Sequence, residues 1–345
     1  MRYQLLGHSG LRVSEICLGT MTFGSDEAWC ASAAESCAIF DAYVEAGGNF
    51  IDTADIYTGG ESEKLVGEFV RSDRERFIIA TKYSNAFPGG NDANVAGNHR
   101  KNLRQSLDAS LRRMGVDYID LYWMHNWDFT TPVDEAMRAL DDAVSAGKIL
   151  YIGLSDAPAW VAAQCNTTAA LRGWTRFSSL QLEYSLVERG IEREHFPLCR
   201  DMDINITAWS PLASGLLSGK YTRDTTEERR LDILPFHDVN DQNLTIAKAV
   251  DGIADELDVS SAQVALAWVR QRGTIPIIGA RTLAQLKDNL SSLKVTLSEQ
   301  QMATLNSASA FRKGHPYDFF DKPLVRDLTT GGMGDLIDNH RNPRG

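Results

Sequence analysis

The chain has 345 residues, of which 43% are hydrophobic and 23% charged, so its composition is that of a globular protein with a large core. Its net charge of −11 argues against binding to nucleic acid or to an anionic membrane, and no apolar run reaches the roughly 20 residues that span a bilayer. The N-terminal residues lack the apolar segment of a secretion signal, and the five scattered cysteines have no zinc-binding spacing. We therefore expect a cytoplasmic protein with reduced thiols and no metal.

A β-hairpin is predicted over residues 3–16, and eight units of a strand followed by a helix come after it. The predicted strands are 16–20, 50–53, 77–81, 118–123, 149–154, 179–182, 205–209 and 274–278. Helical periodicity covers 33–46, 63–71, 102–114, 133–146, 159–171, 192–200, 259–271 and 283–293. Strands that alternate with helices predict parallel pairing, and eight such units favour a closed (β/α)8 TIM barrel over an open sheet. The absence of a G-x-G-x-x-G motif after the first strand also argues against an open dinucleotide-binding sheet.

Two long loops are predicted, at residues 83–98 and 214–241, and each lies between a strand and its helix. Loops in this position collect at the C-terminal face of a barrel, where active sites form. We expect residues 1–345 to form a single barrel domain, with a core to about residue 310 and a C-terminal extension over 311–345. The sequence leaves open whether 83–98 and 311–345 cover the active site.

Four polar residues stand at the C-terminal ends of three consecutive predicted strands. Asp52 ends the second strand and Tyr57 follows it, while Lys82 and His125 end the third and fourth strands. Because the ends of parallel strands meet at one rim of a barrel, we expect these four side chains to converge.

The four residues together have the chemistry of a proton donor for a carbonyl group. A lysine beside Tyr57 favours the phenolate and so lowers the tyrosine pKa, while Asp52 would keep Lys82 charged and fixed. His125 can donate a hydrogen bond to a carbonyl oxygen, and the hydride must then come from a cofactor. An aldolase-like lyase with Lys82 as a Schiff-base nucleophile is an alternative, although Asp52 opposes the neutral lysine that this chemistry needs.

The second half of the chain carries candidates for binding such a cofactor. Ser155, Asp156 and Gln181 could hydrogen-bond a planar amide, and the small residues from 210 to 219 form a loop that a pyrophosphate could approach closely. Gly279 and Arg281 lead directly into a helix whose N-terminus could bind phosphate. Gln285 and Asn289 follow on one face of that same helix.

At these residues the sequence resembles the aldo-keto reductase superfamily over roughly residues 1–310. The matching motifs are LGTMTFG (18–24), DTADIY (52–57), ATK (80–82), DLYWMH (120–125), GLS (153–155), QLEYS (181–185), WSPL (209–212) and GAR (279–281). The resemblance is to the bacterial branch with aryl-alcohol-dehydrogenase-like reductases and relatives of potassium-channel β subunits. It implies a TIM barrel that binds NADPH and reduces an aldehyde or ketone to an alcohol.

By this resemblance Tyr57, Asp52, Lys82 and His125 are the catalytic residues, with Tyr57 as the general acid. Tyr184 is a further candidate for stacking on the nicotinamide ring. The implied cofactor-binding residues are Ser155, Asp156, Gln181, Trp209, Ser210, Pro211, Leu212, Gly215, Lys220, Gly279, Arg281, Gln285 and Asn289.

One residue departs from the family pattern, because Asp156 stands where the family commonly has Asn. An ionised Asp accepts hydrogen bonds but donates none, so this departure bears on the preference between NADP and NAD and not on the catalytic residues. The channel-subunit relatives also imply an alternative function, an NADPH-sensing regulatory subunit with weak turnover.

Aromatic residues near the strand ends predict a substrate with apolar or ring character. These candidates are Phe23, Trp29, Trp127 and Phe129, with Phe87 as a further one. The physiological carbonyl compound, the direction of the reaction in the cell and the oligomeric state are not legible in the sequence.

Overall fold

Eight parallel strands close into a barrel in a computed structural model that describes residues 1–86, 92–223, 229–233 and 235–338. The strand order around the barrel is β10-β3-β4-β5-β6-β7-β8-β9, and a separate antiparallel hairpin pairs β1 with β2. The predicted (β/α)8 barrel with an N-terminal hairpin is therefore confirmed. The strands are β1 Tyr3–Leu5, β2 Arg12–Ser14, β3 Cys17–Gly19, β4 Phe50–Asp52, β5 Ile78–Tyr83, β6 Ile119–Met124, β7 Ile149–Ser155, β8 Phe177–Glu183, β9 Asn205–Trp209 and β10 Ile275–Ile278.

Helices follow the barrel strands at the predicted places, and the described chain has further helices that the periodicity did not single out. The longest described helix, α7, has 17 residues and lies in the segment between β9 and α8. Ser298 and Gln301 form a capping box that starts α10. The helices of the barrel unit are α1 Ala33–Glu45, α2 Glu61–Val70, α3 Arg100–Met114, α4 Val133–Ser145, α5 Ala159–Arg172, α6 His195–Met202, α7 Asp241–Leu257, α8 Ser261–Gln271, α9 Leu283–Ser291 and α10 Glu299–Ala308.

The barrel interior is filled by alternate residues of its strands, because side chains along a strand point to opposite faces. The inward row includes Phe50 on β4, Ala80 on β5 and Trp123 on β6, and Leu6 and Val13 of the hairpin pack against this cluster. Two positions further along β4 and β5 the same alternation turns a polar side chain inward at the carboxyl end of each strand. The strand pattern thus positions the site residues described below.

Trp123 fits inside the barrel only because the facing residue on β7 is a glycine. Gly153 pairs with Trp123 in the strand register, and a Cβ at Gly153 would lie 2.2 Å from the Trp123 ring. That distance is far below van der Waals contact, so any side chain at this position would displace the Trp123 ring or the backbone of β7.

The chain divides into two compact units, Met1–Ser309 and a C-terminal unit that begins at Ala310. The described part of the C-terminal unit contains two short α-helices, α11 Tyr317–Phe320 and α12 Pro323–Thr330, and a 3-10 helix over Gly334–Leu336. Within the described part of the chain, no helix has both the length and the apolar character needed to cross a membrane.

Candidate active site

Lys82 is the centre of the polar cluster at the carboxyl ends of the strands. Its side chain is completely buried, and its ammonium group donates hydrogen bonds to the Asp52 carboxylate, to the Thr53 carbonyl oxygen (2.8 Å) and to the Tyr57 hydroxyl (3.1 Å). The ring centroids of Tyr57 and His125 lie 6.1 Å apart in an edge-to-face arrangement. The four residues that the sequence pattern singled out therefore meet in one place.

The local fold explains how Tyr57 reaches this cluster from outside the strand. The chain leaves β4 at Asp52 and turns into a short 3-10 helix that begins at Tyr57. Thr58 adopts a left-handed conformation (φ 45°), and its hydroxyl donates to the Phe23 carbonyl oxygen (2.7 Å). This anchored turn returns the Tyr57 ring to the mouth of the barrel, where Lys82 contacts it.

The electrostatics of Lys82 keep it charged. Burial is the largest single effect and would lower its pKa, but the charges and hydrogen bonds of Asp52 and Tyr57 together outweigh burial and raise the pKa of Lys82 above its ordinary value. A Schiff-base nucleophile must be a neutral amine, so this environment opposes the lyase alternative.

The pKa of Tyr57 differs in direction from the sequence-based expectation. Burial raises it above its ordinary value, and the opposing effect of Lys82 is smaller. The expected lowering of the Tyr57 pKa by Lys82 is thus present as a contribution but does not decide the sign. At neutral pH the phenol keeps its proton, which is the form that a proton donor needs.

His125 is neutral at physiological pH. Burial, assisted by the charge of Lys82, lowers the pKa of His125 to about 3. Its Nδ1 atom is buried and has no hydrogen-bond partner among the described residues. A neutral imidazole can donate a hydrogen bond from one nitrogen and so orient a carbonyl oxygen, but it does not act as a general acid.

Gln181 reaches the Lys82–Asp52 pair in a way that the sequence did not indicate. Its side-chain amide donates a hydrogen bond of 2.8 Å to Asp52 Oδ1, so the Asp52 carboxylate has a donor on each oxygen. Gln181 and Asp52 are 129 positions apart, and only the closure of the barrel brings them together.

Asp156 and Trp209 form a second contact across the barrel rim. The Trp209 indole nitrogen donates to Asp156 Oδ1 at 2.9 Å, and the backbone of Asp156 is left-handed (φ 39°). Asp and Asn tolerate this conformation better than other residues with a side chain. Although part of its side chain is exposed, crowding by neighbouring atoms removes enough water to raise the pKa of Asp156 to about 6.

The residues at this rim fit the amide end of a nicotinamide. The Ser155 hydroxyl is buried and, despite its closeness to Asp156, forms no hydrogen bond of regular geometry with a described residue. Ser155 pairs with Gln181 in the strand register, and Gln181 is also buried. A buried hydroxyl without a regular partner is a rare feature that a bound ligand commonly satisfies.

The predicted pyrophosphate loop after β9 is compact and rich in left-handed residues. Positive φ angles occur at Ser210, Ala213, Ser214, Gly215 and Gly219, a backbone of the kind that forms anion-binding concavities. Pro211, Leu212 and Lys220 lie in the same segment. His237, from the later part of the long loop, bonds to Ser214 Oγ (3.2 Å) and to Glu183 Oε1 (2.6 Å), a link that the sequence gave no sign of.

The predicted adenosine-end residues also lie together. The side-chain oxygen of Gln285 accepts from the Arg281 backbone N–H (2.9 Å), and the Asn289 amide donates to the Gly279 carbonyl oxygen (3.2 Å). Arg281 donates to the Ala28 carbonyl oxygen (2.8 Å). Because α9 begins at Leu283, this basic side chain stands at a helix N-terminus.

The aromatic residues predicted to contact substrate have different environments. Phe23 is completely buried and packs in the core, so in this structure its ring offers no face to a substrate. Trp127 is 7% exposed and Trp29 is half-buried, whereas Phe129 is 69% exposed and left-handed (φ 57°). Phe87 lies outside the described residues.

Tyr184 is not available as a stacking partner. Its ring is completely buried against Phe196 and Trp268, and its hydroxyl donates to Glu192 Oε1 (2.7 Å). The expectation that Tyr184 faces the nicotinamide is wrong in this structure, because both sides of its ring contact the protein.

A buried acidic cluster lies beside the predicted catalytic residues and was not anticipated. Asp55 is buried beside Glu63, and Glu63 accepts hydrogen bonds from Thr81 Oγ1 (2.6 Å) and from Arg113 Nε (2.5 Å). Burial, together with the Glu63 charge, raises the pKa of Asp55 to about 7. The DTADIY motif contains Asp55, but nothing in the linear sequence indicates its carboxylate neighbour.

The sequence model of the Aldo/keto reductase family matches residues 15–310. A norsolorinic acid reductase of Emericella nidulans is 37% identical over 350 residues, which cover 96% of this chain and 89% of the relative. A norsolorinic acid reductase of Aspergillus flavus is 35% identical over 331 residues, which cover 92% of this chain and 84% of the relative.

A third relative is an aryl-alcohol dehydrogenase (NADP(+)) of Phanerodontia chrysosporium, 35% identical over 344 residues that cover 92% of this chain and 88% of the relative. These three relatives are fungal, whereas the motifs had suggested a bacterial branch. The family itself agrees with the sequence-based prediction. This chain belongs to the Aldo/keto reductase family and is an oxidoreductase that acts on carbonyl groups.

Proposed function

We propose that this chain uses NADPH to reduce an aromatic aldehyde or ketone, with Tyr57 as the proton donor. The observation that carries the proposal is the hydrogen bond of 3.1 Å between Lys82 Nζ and the Tyr57 hydroxyl, at the carboxyl rim of the barrel. The names of the relatives, norsolorinic acid reductase and aryl-alcohol dehydrogenase (NADP(+)), support the choice of cofactor and of an aromatic substrate.

The cofactor, when bound, supplies the hydride to the carbonyl carbon. Tyr57 gives its hydroxyl proton to the carbonyl oxygen, and the Lys82 ammonium stabilises the phenolate that remains. Asp52 holds Lys82 in place, while the neutral His125 ring donates a hydrogen bond that orients the carbonyl oxygen.

The remaining rim residues bind and orient the cofactor. Ser155 and Gln181 hold the carboxamide, and the Trp209 indole provides a flat surface beside it. The loop of Ser210, Pro211, Leu212, Gly215 and Lys220 approaches the pyrophosphate, and Arg281 meets the 2′-phosphate near Gly279, Gln285 and Asn289. Measurements of the Kd for NADPH in single variants of these residues test each role.

Trp29, Trp127 and Phe129 are the proposed contacts for the substrate. They are aromatic and follow strands whose carboxyl ends form the same rim, so they favour a flat ring system over a small aliphatic aldehyde. The half-exposed and exposed members, Trp29 and Phe129, have ring surface that a substrate can cover.

The test compares the wild type with Tyr57→Phe, using oxidation of NADPH by a panel of aromatic and aliphatic carbonyl compounds. Tyr57→Phe removes only the hydroxyl, so we expect turnover to fall by about 10²-fold or more while NADPH still quenches tryptophan fluorescence with nearly the same Kd. Retained turnover in this variant contradicts the assigned proton donor. Tight NADPH binding by a wild type that reduces none of the carbonyls favours the regulatory-subunit alternative.

A further inference from the structure

Asp156 is fixed at the point where the carboxyl ends of β7, β8 and β9 meet. Its backbone N–H donates to the Gln181 carbonyl oxygen (3.2 Å), and its carboxylate accepts from Trp209 Nε1 (2.9 Å). Its left-handed backbone suits Asp and Asn alike, and Asn would keep an acceptor oxygen for the indole. Neither the backbone conformation nor the contact with Trp209 therefore requires a charge here.

The charge of Asp156 is not neutralised by a direct partner. The Trp209 indole that donates to it and the nearby Ser155 hydroxyl are both neutral, and no lysine or arginine of the described chain forms an ion pair with it. Lys82 attracts it from the barrel interior but is bound to Asp52, while Glu183 on β8 repels it. Three titratable groups, Lys82, Tyr57 and Glu183, interact with the charge of Asp156, and Glu183 is itself bonded to His237. Glu188 and His195 line the same open cavity as Asp156.

We propose that the Asp156 carboxylate makes this site prefer the oxidised nicotinamide over the reduced one. The inference rests on the proposed function, which puts the nicotinamide beside Ser155, Gln181 and Trp209. The oxidised ring carries a positive charge and the reduced ring carries none. An ionised Asp156 therefore stabilises one redox form and not the other, whereas a neutral amide at this position stabilises both nearly equally.

The preference for NADP+ depends on pH, because it requires Asp156 to be ionised. Crowding by neighbouring atoms removes enough water to raise the pKa of Asp156 to about 6, although part of the side chain is exposed and the Trp209 hydrogen bond opposes the rise. The carboxylate, and with it the preference for NADP+, is present above about pH 6 and is lost as the pH falls below it. By linkage, binding of the cationic ring lowers this pKa and releases a proton. Burial lowers the pKa of the neighbouring His195, whose ring nitrogen is bonded to the Ala157 carbonyl oxygen (2.9 Å), and His195 is present in both the wild type and Asp156→Asn.

The test measures Kd for NADP+ and for NADPH by quenching of tryptophan fluorescence, at pH 5.0 and pH 7.5, in the wild type and in Asp156→Asn. The ratio Kd(NADPH)/Kd(NADP+) should rise about tenfold between these pH values in the wild type, the size expected for one partly screened charge pair, and should stay constant in Asp156→Asn. The 2′-phosphate titrates in the same range, but both cofactor forms carry it and its effect cancels in the ratio.

Glu188→Gln is the matched control, since it removes a carboxylate from the edge of the same cavity without touching Trp209. Its Kd ratio should follow the wild type. The proposal is overturned if Asp156→Asn keeps the pH-dependent ratio, or if Glu188→Gln abolishes it equally. Failure of the wild type to bind either nucleotide would instead contradict the proposed function.

A second measurement uses only the wild type, so it tests the proposal even if Asp156→Asn folds poorly. Calorimetric titrations of the wild type at pH 6 in two buffers of different ionisation enthalpy count the protons released on binding. NADP+ should release a larger fraction of a proton than NADPH. Equal release by the two forms would overturn the assignment to Asp156.

Discussion

Replacing Lys82 by Met removes one partner of the most deeply buried ion pair at the barrel mouth. The side chains of Lys82 and Asp52 are 0% and 3% exposed, so the Asp52 carboxylate would keep only the hydrogen bond from Gln181. Breaking a buried pair in this way costs about 3–5 kcal/mol, because an uncompensated charge remains in the interior. We therefore expect the free energy of unfolding to fall by that amount, and kcat/KM for NADPH-dependent reduction to fall by about 10²-fold or more.

Urea denaturation followed by tryptophan fluorescence measures the loss of stability, with an unchanged m-value as the sign that the unfolded state is the same. Lys148→Met is the matched control, because Lys148 forms the same kind of pair with Asp108 (2.5 Å) but the two side chains are 44% and 32% exposed. That control should cost less than about 1 kcal/mol and leave turnover unchanged. If Lys82→Met costs no more than Lys148→Met, the reasoning from burial is refuted.

Three further predictions follow from particular contacts. Gly153→Ala should destabilise the fold by about 1–3 kcal/mol, because the added methyl group clashes with Trp123. The control Gly252→Ala lies on the exposed side of α7, where no atom is within 4 Å of the added methyl group, and it should raise the melting temperature slightly. An equal change in melting temperature for the two variants would contradict the packing argument. Burial lowers the pKa of His125 to about 3, so His125→Gln should lower kcat/KM without moving any inflection in the pH profile of kcat/KM between pH 5 and 8. Loss of an inflection in the variant would contradict the assignment of a neutral imidazole. Arg281→Ala should raise Kd for NADPH about 10- to 100-fold and leave Kd for NADH nearly unchanged, and an equal change for both would argue against a role at the 2′-phosphate.

The strand ends of this barrel were largely predictable, because their signals are local. Short apolar segments bounded by polar residues fixed the order of the eight barrel strands, and β9 runs over the predicted residues 205–209. The helix α7 was overlooked because it lies within the long segment between β9 and α8, where the eight-unit pattern expects one helix and the chain has two. Its apolar residues, Ile246, Val250 and Ile253, do have helical spacing.

The sequence by itself determined which residue types stand at the carboxyl ends of the strands, and thus the kind of chemistry and the family. The tertiary structure alone decided how these residues influence one another. Closure of the barrel places Gln181 against Asp52 and Trp209 against Asp156, contacts that join strands far apart in the chain. Burial then sets the direction of the pKa shift of Tyr57, because the loss of water around the phenol outweighs the nearby lysine charge, and a linear sequence does not state how much water each side chain retains.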